Sequence, residues 1–294
     1  MSVWRDGRAE PDSACEDALD RGALLGDGLF ETVFVADGAA PLLAAHLGRM
    51  RRSAEHLGLG CPDDADALVA RALPALWRAE ASPRRAALRL TLSAGGGRGL
   101  DRPGASAVRL TVSLARLPDV ADPSPLRVVT ATCHRVDPRS ALAGHKTLSW
   151  LGFVLARREA RARGADAALL ETVDGDVCEA DHANLFALVD GSVVTPPPDR
   201  GVLPGVTRAR ALDALRAAGH TVAERPLRHE ELSRAAEVWL TSSLRGVVGV
   251  ASVDARALAA PGPLTAWLAA CVPPGGTAAA GAGLAPTQRP GARL

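Results

Sequence analysis

Of the 34 basic residues in this chain one is a lysine, Lys146, and the rest are arginine. A side chain that only has to be cationic can be either type. One that must act as an amine cannot be arginine, whose guanidinium stays protonated and is no usable nucleophile. The chain also has no Tyr, no Ile and a single Asn, Asn184. Loss of these residue types together points to a GC-rich coding background, under which replaceable lysines drift to arginine. Lys146 has survived that drift in AGHKTLSW, between a strand region and a helix. The chemistry this implies is Schiff-base formation with a carbonyl. A surface lysine kept by chance is the competing reading, and the helix macrodipole makes a cation near an N-terminus mildly unfavourable.

Other residues could serve a phosphate-bearing carbonyl compound. In LPGVTR (203–208) a glycine precedes a helix, and the first-turn N–H groups around Val206 and Thr207 can bind phosphate. The run Thr241-Ser242-Ser243 offers hydroxyls and backbone N–H groups of the same kind. Arg49 lies off the apolar stripe of its helix and is expected to be free to reach a phosphate. Glu179, in GDVCEADHANLF, begins a strand after a tight turn, where a carboxylate could keep a pyridine nitrogen protonated. Arg98 ends the glycine-rich run SAGGGRGL, from which it could fork onto a substrate carboxylate, with Arg245 as the next candidate. Singly, these read as a cap, a solvated arginine or an exposed strand glutamate. The set and its order carry the reading.

The elements that must position them alternate between strand and helix patterns. Strands are expected at 29–36, 86–92, 107–114 and 126–136, with two more inside 236–252. Helices are expected at 41–59, 149–163 and 206–218. The second of these would bury Leu151, Val154 and Leu155. Hairpins turn at Asp174-Gly175 and Asp190-Gly191. Domain boundaries fall at 1–117 and 126–272, around a proline-rich linker at 118–125. The segment 273–294 reads as a disordered tail.

Composition excludes several classes. With 294 residues, 47% of them hydrophobic, and a net charge of +1, nothing favours nucleic acid or an anionic membrane as partner. No apolar run is long enough to span a bilayer, and the N-terminus is too charged for a secretory signal. Cysteines 15, 61, 133, 178 and 271 show neither C-x-x-C nor zinc-ligand spacing, so thiols in a reducing cytoplasm are expected.

The motifs resemble those of fold-type IV pyridoxal-phosphate enzymes, the class IV aminotransferases. DRGALLGDGLFET (20–32) is similar to their D-R-G-x-x-x-G-D-G-x-F-E-T, and His46–Arg49 to their H-x-x-R, whose Arg binds phosphate. Lys146 precedes VLARREA (154–160) as their Schiff-base lysine precedes V-L-A-x-x-E-A. Glu179, Asn184 and Phe186 resemble their E-x-x-x-x-N-x-F. Thr195 to Arg208 resembles T-P-x-x-x-G-x-L-x-G-I-T-R with one extra residue. The resemblance implies an α/β (α+β) protein of two domains, a small N-terminal and a larger C-terminal one. Pyridoxal 5'-phosphate would lie at their junction, in a cytoplasmic homodimer whose loops complete each other's site.

Among its members, GDGLFET and GGGRGL look most like 4-amino-4-deoxychorismate lyases, with Ser93-Ala94 replacing their first Arg-Gly. That implies conversion of 4-amino-4-deoxychorismate to 4-aminobenzoate and pyruvate, a step in making folate precursors. Lys146 and Glu179 would be catalytic, and Arg98 and Thr32 would contact the small carboxylate amine substrate. The alternative is an aminotransferase for branched-chain or D-amino acids. A pyridoxal-phosphate protein without catalysis is the third reading, and the intact Lys146, Glu179 and Arg49 argue against it.

Overall fold

The computed structural model describes residues 2–5, 8–10, 19–102, 107–118 and 124–276. The chain divides into two compact units, Met1–Ala121 with His145–Leu151, and Asp122–Gly144 with Gly152–Leu294. Residues 145–151 therefore group with the first unit, although the sequence boundaries put them in the second. Of the expected linker, residues 119–123 lie outside the described residues, as do residues 277–294 of the expected tail.

The first unit contains β1 (Ser2–Arg5), β2 (Arg8–Glu10), α1 (Arg21–Leu25), β3 (Gly28–Ala36), α2 (Leu43–His56), α3 (Ala65–Ala79), β4 (Arg85–Ser93) and β5 (Arg109–Arg116). Its strands form one antiparallel sheet in the order β2-β1-β5-β4-β3. Alternation decides which face is covered. Leu29, Glu31, Val33 and Val35 of β3 stand opposite Leu92, Leu90, Leu88 and Ala86 of β4. This row, apolar except for Glu31, packs with the buried side of α2 and α3. The other face carries Phe30, Thr32 and Phe34, opposite Thr91, Arg89 and Ala87. Residues 146–148 run along the edge of β3: Phe30 N–H donates to the Lys146 carbonyl (2.8 Å) and Leu148 N–H to that of Gly28 (2.9 Å).

The second unit contains β6 (Leu126–Val136), α4 (Leu151–Ala162), β7 (Ala167–Thr172), β8 (Val177–Ala180), β9 (Ala183–Val189), β10 (Ser192–Thr195), α5 (Val206–Ala217), β11 (Val222–Glu224), α6 (His229–Arg234), β12 (Glu237–Ser242), β13 (Gly246–Val253), β14 (Arg256–Ala257) and α7 (Pro263–Cys271). The order β9-β12-β13-β6-β7-β8 closes on itself, because β8 also pairs with β9. An apolar cluster including Leu126, Val128, Leu169, Leu185, Leu240 and Val250 is drawn from the strands of this ring. Phe186 and Trp239, in facing strands, stack with ring centres 5.6 Å apart and pack with α5 and α7. Both hairpins turn where the sequence places them, on Gly175 (φ 90°) and on Asp190-Gly191 (φ 50° and 79°).

One expectation is reversed. Leu151, Val154 and Leu155 are exposed (68%, 46% and 39%), and α4 buries Ala156 and Ala160 instead. Helical spacing identifies a stripe, not what covers it. The two alanines let α4 approach its own unit closely, which leaves the larger apolar side chains outward.

Candidate active site

In the first unit the edge segment delivers Lys146 to the face of the sheet that carries Phe30. Its Nζ lies 4.2 Å from the centre of the Phe30 ring and 4.7 Å from that of Trp150. These two rings meet edge to face, with centres 5.2 Å apart. The same Phe30 ring carries the guanidinium of Arg89, 4.0 Å from its centre. An aromatic face attracts a cation through its ring quadrupole, and here one ring meets two. Arg89 has no ion pair among the described residues, and desolvation lowers its pKa. Thr32 stands directly across from Arg89. The structure thus brings Lys146, Thr32 and Arg89 onto one face. Arg89 escapes a sequence reading because an arginine on the non-core side of an alternating strand looks solvated.

Arg49 is not off the buried side of its helix, as the sequence suggests. It is 5% exposed and grips Glu31 with two parallel hydrogen bonds, Nε to Oε1 (2.7 Å) and Nη2 to Oε2 (2.6 Å). His46 Nδ1 shares Oε2 at 2.7 Å. Glu31 falls in the covered row of β3, where an ionised carboxylate without partners would be costly. Burial alone raises its pKa, but the hydrogen bonds from Arg49 and His46 outweigh it and bring it to about 2.

Arg49→Ala should therefore do more than weaken ligand binding. It leaves a buried carboxylate short of its main partner, which costs about 3–5 kcal/mol. Chemical denaturation should show that loss, and Glu31→Gln together with Arg49→Met should recover part of it. Unchanged unfolding in Arg49→Ala would contradict the anchoring role. The pH sign follows from the depressed value. This contribution is present above the ordinary Glu pKa of 4.5 and is lost as pH falls towards 2.

Arg98 is exposed at the far end of the glycine-rich loop, and its side chain makes no hydrogen bond among the described residues. The structure does not by itself join it to Lys146.

In the second unit the register aligns a polar row. Glu179 of β8 faces Asn184 of β9, which faces Thr241 of β12. Asn184 Nδ2 donates to the Leu203 carbonyl at 2.8 Å and lies 3.4 Å from Glu179 Oε2. The Leu203 N–H donates to that same oxygen at 3.2 Å. Glu179 is 6% exposed, so it is no solvated strand glutamate. The turn at 203–205 can lie this close because Gly205 has no side chain. A Cβ there would stand 2.0 Å from Asn184 Oδ1.

Gly205 is also the N-cap of α5, and no side chain caps that helix. Val206 and Thr207 form its first turn, whose N–H groups suit an anion. At the end of the row Thr241 Oγ1 is buried with no hydrogen-bond partner among the described residues, and Ser242 and Ser243 follow it. Arg245, two residues on, donates to the Ser124 carbonyl at 3.3 Å.

Cys61, Cys133, Cys178 and Cys271 are free thiols, and Cys15 lies outside the described residues. Among the described residues no group of His, Cys, Asp and Glu could hold a metal, and no helix is long and apolar enough to cross a membrane.

Each unit thus carries its own part of the candidate set, Lys146 in the first and the buried Glu179 with the uncapped start of α5 in the second. The family profile for amino-transferase class IV matches residues 28–253, and the chain belongs to that family of pyridoxal-phosphate enzymes. It is 31% identical over 290 residues to the bifunctional aminodeoxychorismate lyase / D-amino acid transaminase of Mycobacterium tuberculosis, covering 88% of this chain and 93% of that one. It is 28% identical over 260 residues to a putative branched-chain-amino-acid aminotransferase of Methanocaldococcus jannaschii, covering 88% and 90%. Among solved structures, an aminotransferase from Brucella abortus bound to the co-factor PLP superposes with a TM-score of 0.81. The identity there is 26%, covering 91% of this chain and 95% of that one. The protein is thus a pyridoxal-phosphate-dependent lyase or aminotransferase. Its own residues fit that cofactor: the orphaned Thr241 hydroxyl and uncapped α5 offer donors, and the chain has one lysine to offer.

Proposed function

We propose that this protein is a lyase converting 4-amino-4-deoxychorismate to 4-aminobenzoate and pyruvate. The observation that carries this reading is the Phe30 ring flanked by Lys146 and by Arg89, which has no ion pair among the described residues. A guanidinium held beside aromatic rings suits a ring bearing a carboxylate, and Arg98 would take a second one.

Lys146 would carry the cofactor, and Glu179 would hold a proton on its ring nitrogen. Val206, Thr207, Ser242, Ser243 and the Glu31-anchored Arg49 would hold its phosphate. When bound, pyridoxal phosphate supplies an electron-accepting ring. Lys146 Nζ would accept the proton from the carbon bearing the substrate amine and hand it to the departing enolpyruvate, which leaves as pyruvate when its carbon–oxygen bond to the ring breaks. Asn184 fixes the Glu179 carboxylate, and Thr32 lines the substrate side beside Arg89.

The second reading is an aminotransferase for D- or branched-chain amino acids, favoured by the names of both relatives above. Here Lys146 would move the same proton, and the amino group would pass to an acceptor keto acid while the donor leaves as its own keto acid. We also read the protein as a homodimer, because the exposed Leu151, Val154 and Leu155 of α4 suit a second copy. A monomer by light scattering would remove that reading.

Adding D- and L-amino acids to the holoenzyme separates the reactions. The lyase reading expects the visible absorbance of the cofactor to persist. Its stoichiometric replacement by the amine form of the cofactor would favour the aminotransferase.

A further inference from the structure

We propose that Arg21 is a positioning residue that fixes the loop at 95–102 and thereby presents Arg98. The proposal rests on the reading that Arg98 meets a substrate carboxylate. Arg21 opens α1 yet is 3% exposed, a poor place for a cation unless its donors are used. They are. Nη1 donates to the carbonyls of Gly99 (2.7 Å) and Asp101 (3.2 Å), Nη2 to that of Leu100 (3.1 Å), and Nε to Asp27 (2.9 Å). Three consecutive loop carbonyls thus hang on one planar fork.

Asp27 extends the grip. Its other oxygen takes Arg102 Nη2 at 2.6 Å, and Arg102 Nη1 reaches the Leu57 carbonyl at 2.6 Å. The start of the loop is pinned by backbone: Arg21 N–H donates to Gly95 (2.8 Å) and Gly97 N–H to Leu19 (3.2 Å). Gly95 is required there, with φ +76° and a Cβ position 1.8 Å from the Ala107 carbonyl. Packing does not hold the far end, since Leu100 is 87% exposed. Between the two pinned ends stands Arg98, pointing its charge outward from a loop whose shape depends on Arg21.

Lysine at this position keeps the charge but lacks the planar five-donor fork that reaches Asp27 and all three carbonyls. In Arg21→Lys holoenzyme, amide exchange over 97–102 should quicken by about tenfold. KM for the substrate selected by the assay above should rise by about tenfold, with kcat within about twofold at saturating cofactor. In an Arg98→Ala background the same change should add nothing. Arg102→Ala, at an exposed side chain, gives a smaller shift in the same direction and serves if Arg21→Lys folds poorly.

Unchanged exchange in both variants overturns the proposal, as does a KM effect additive with Arg98→Ala. If Arg98→Ala leaves KM unchanged, the substrate reading fails and the proposal with it, and the exchange data then show separately whether the grip exists.

Discussion

Lys146→Arg is expected to eliminate both the visible absorbance of bound cofactor and turnover, the latter by about 10⁴-fold or more. The substitution is mild for the fold. A guanidinium keeps the positive charge and can lie over Phe30 and Trp150 as the ammonium does, so stability should change little. What it lacks is an amine able to bond a carbonyl and then give up and take back a proton. No second lysine exists to take over the role. A borohydride-stable cofactor adduct in Lys146→Arg would contradict the assignment.

Glu179→Ala should retain cofactor but lose roughly 10²–10⁴-fold in turnover, the scale for losing a group that governs a proton. The geometry adds a second consequence. Removing the carboxylate takes the acceptor from the Leu203 N–H and the near neighbour from Asn184 Nδ2, so stability should fall by about 1–3 kcal/mol. Glu179→Gln separates the two effects. It keeps an oxygen for Leu203 while removing the charge, so turnover should remain low while stability returns. Near-parental rates in Glu179→Gln would make Glu179 a structural residue of β8.

Much of this site was legible because drift in composition had erased the background. In a chain rich in lysine, Lys146 would not have stood out, and the motif residues around Glu179 would have carried the reading alone. β4 was readable because its alternation is regular, and β3 because its run is apolar enough for a buried strand. Charge pairing across elements was not. Glu31 and Arg49 meet only when α2 covers the sheet, and neither residue type nor spacing says that a carboxylate will stand in an apolar row. Likewise α3 carries Pro74 inside it, which argues against a helix until neighbouring packing is known. α7 is hidden in an apolar run next to the proline- and glycine-rich end. The outward face of α4 shows the converse, a stripe that was visible and whose burial was wrongly inferred from it.

Arg89 marks the remaining gap. An arginine opposite Thr32 on a non-core strand face has no sequence signal, and its meaning comes from sharing the Phe30 ring with Lys146. Arg21 was visible only as part of a motif. Its role depends on carbonyls almost eighty residues away in the chain.

The lyase account is tested most directly by incubating the holoenzyme with 4-amino-4-deoxychorismate and no keto acid, then quantifying the products. The account predicts 4-aminobenzoate and pyruvate in equal amounts over many turnovers, with the cofactor's visible absorbance restored at the end. No 4-aminobenzoate, together with amino-group transfer from a D- or L-amino acid to a keto acid, would contradict it.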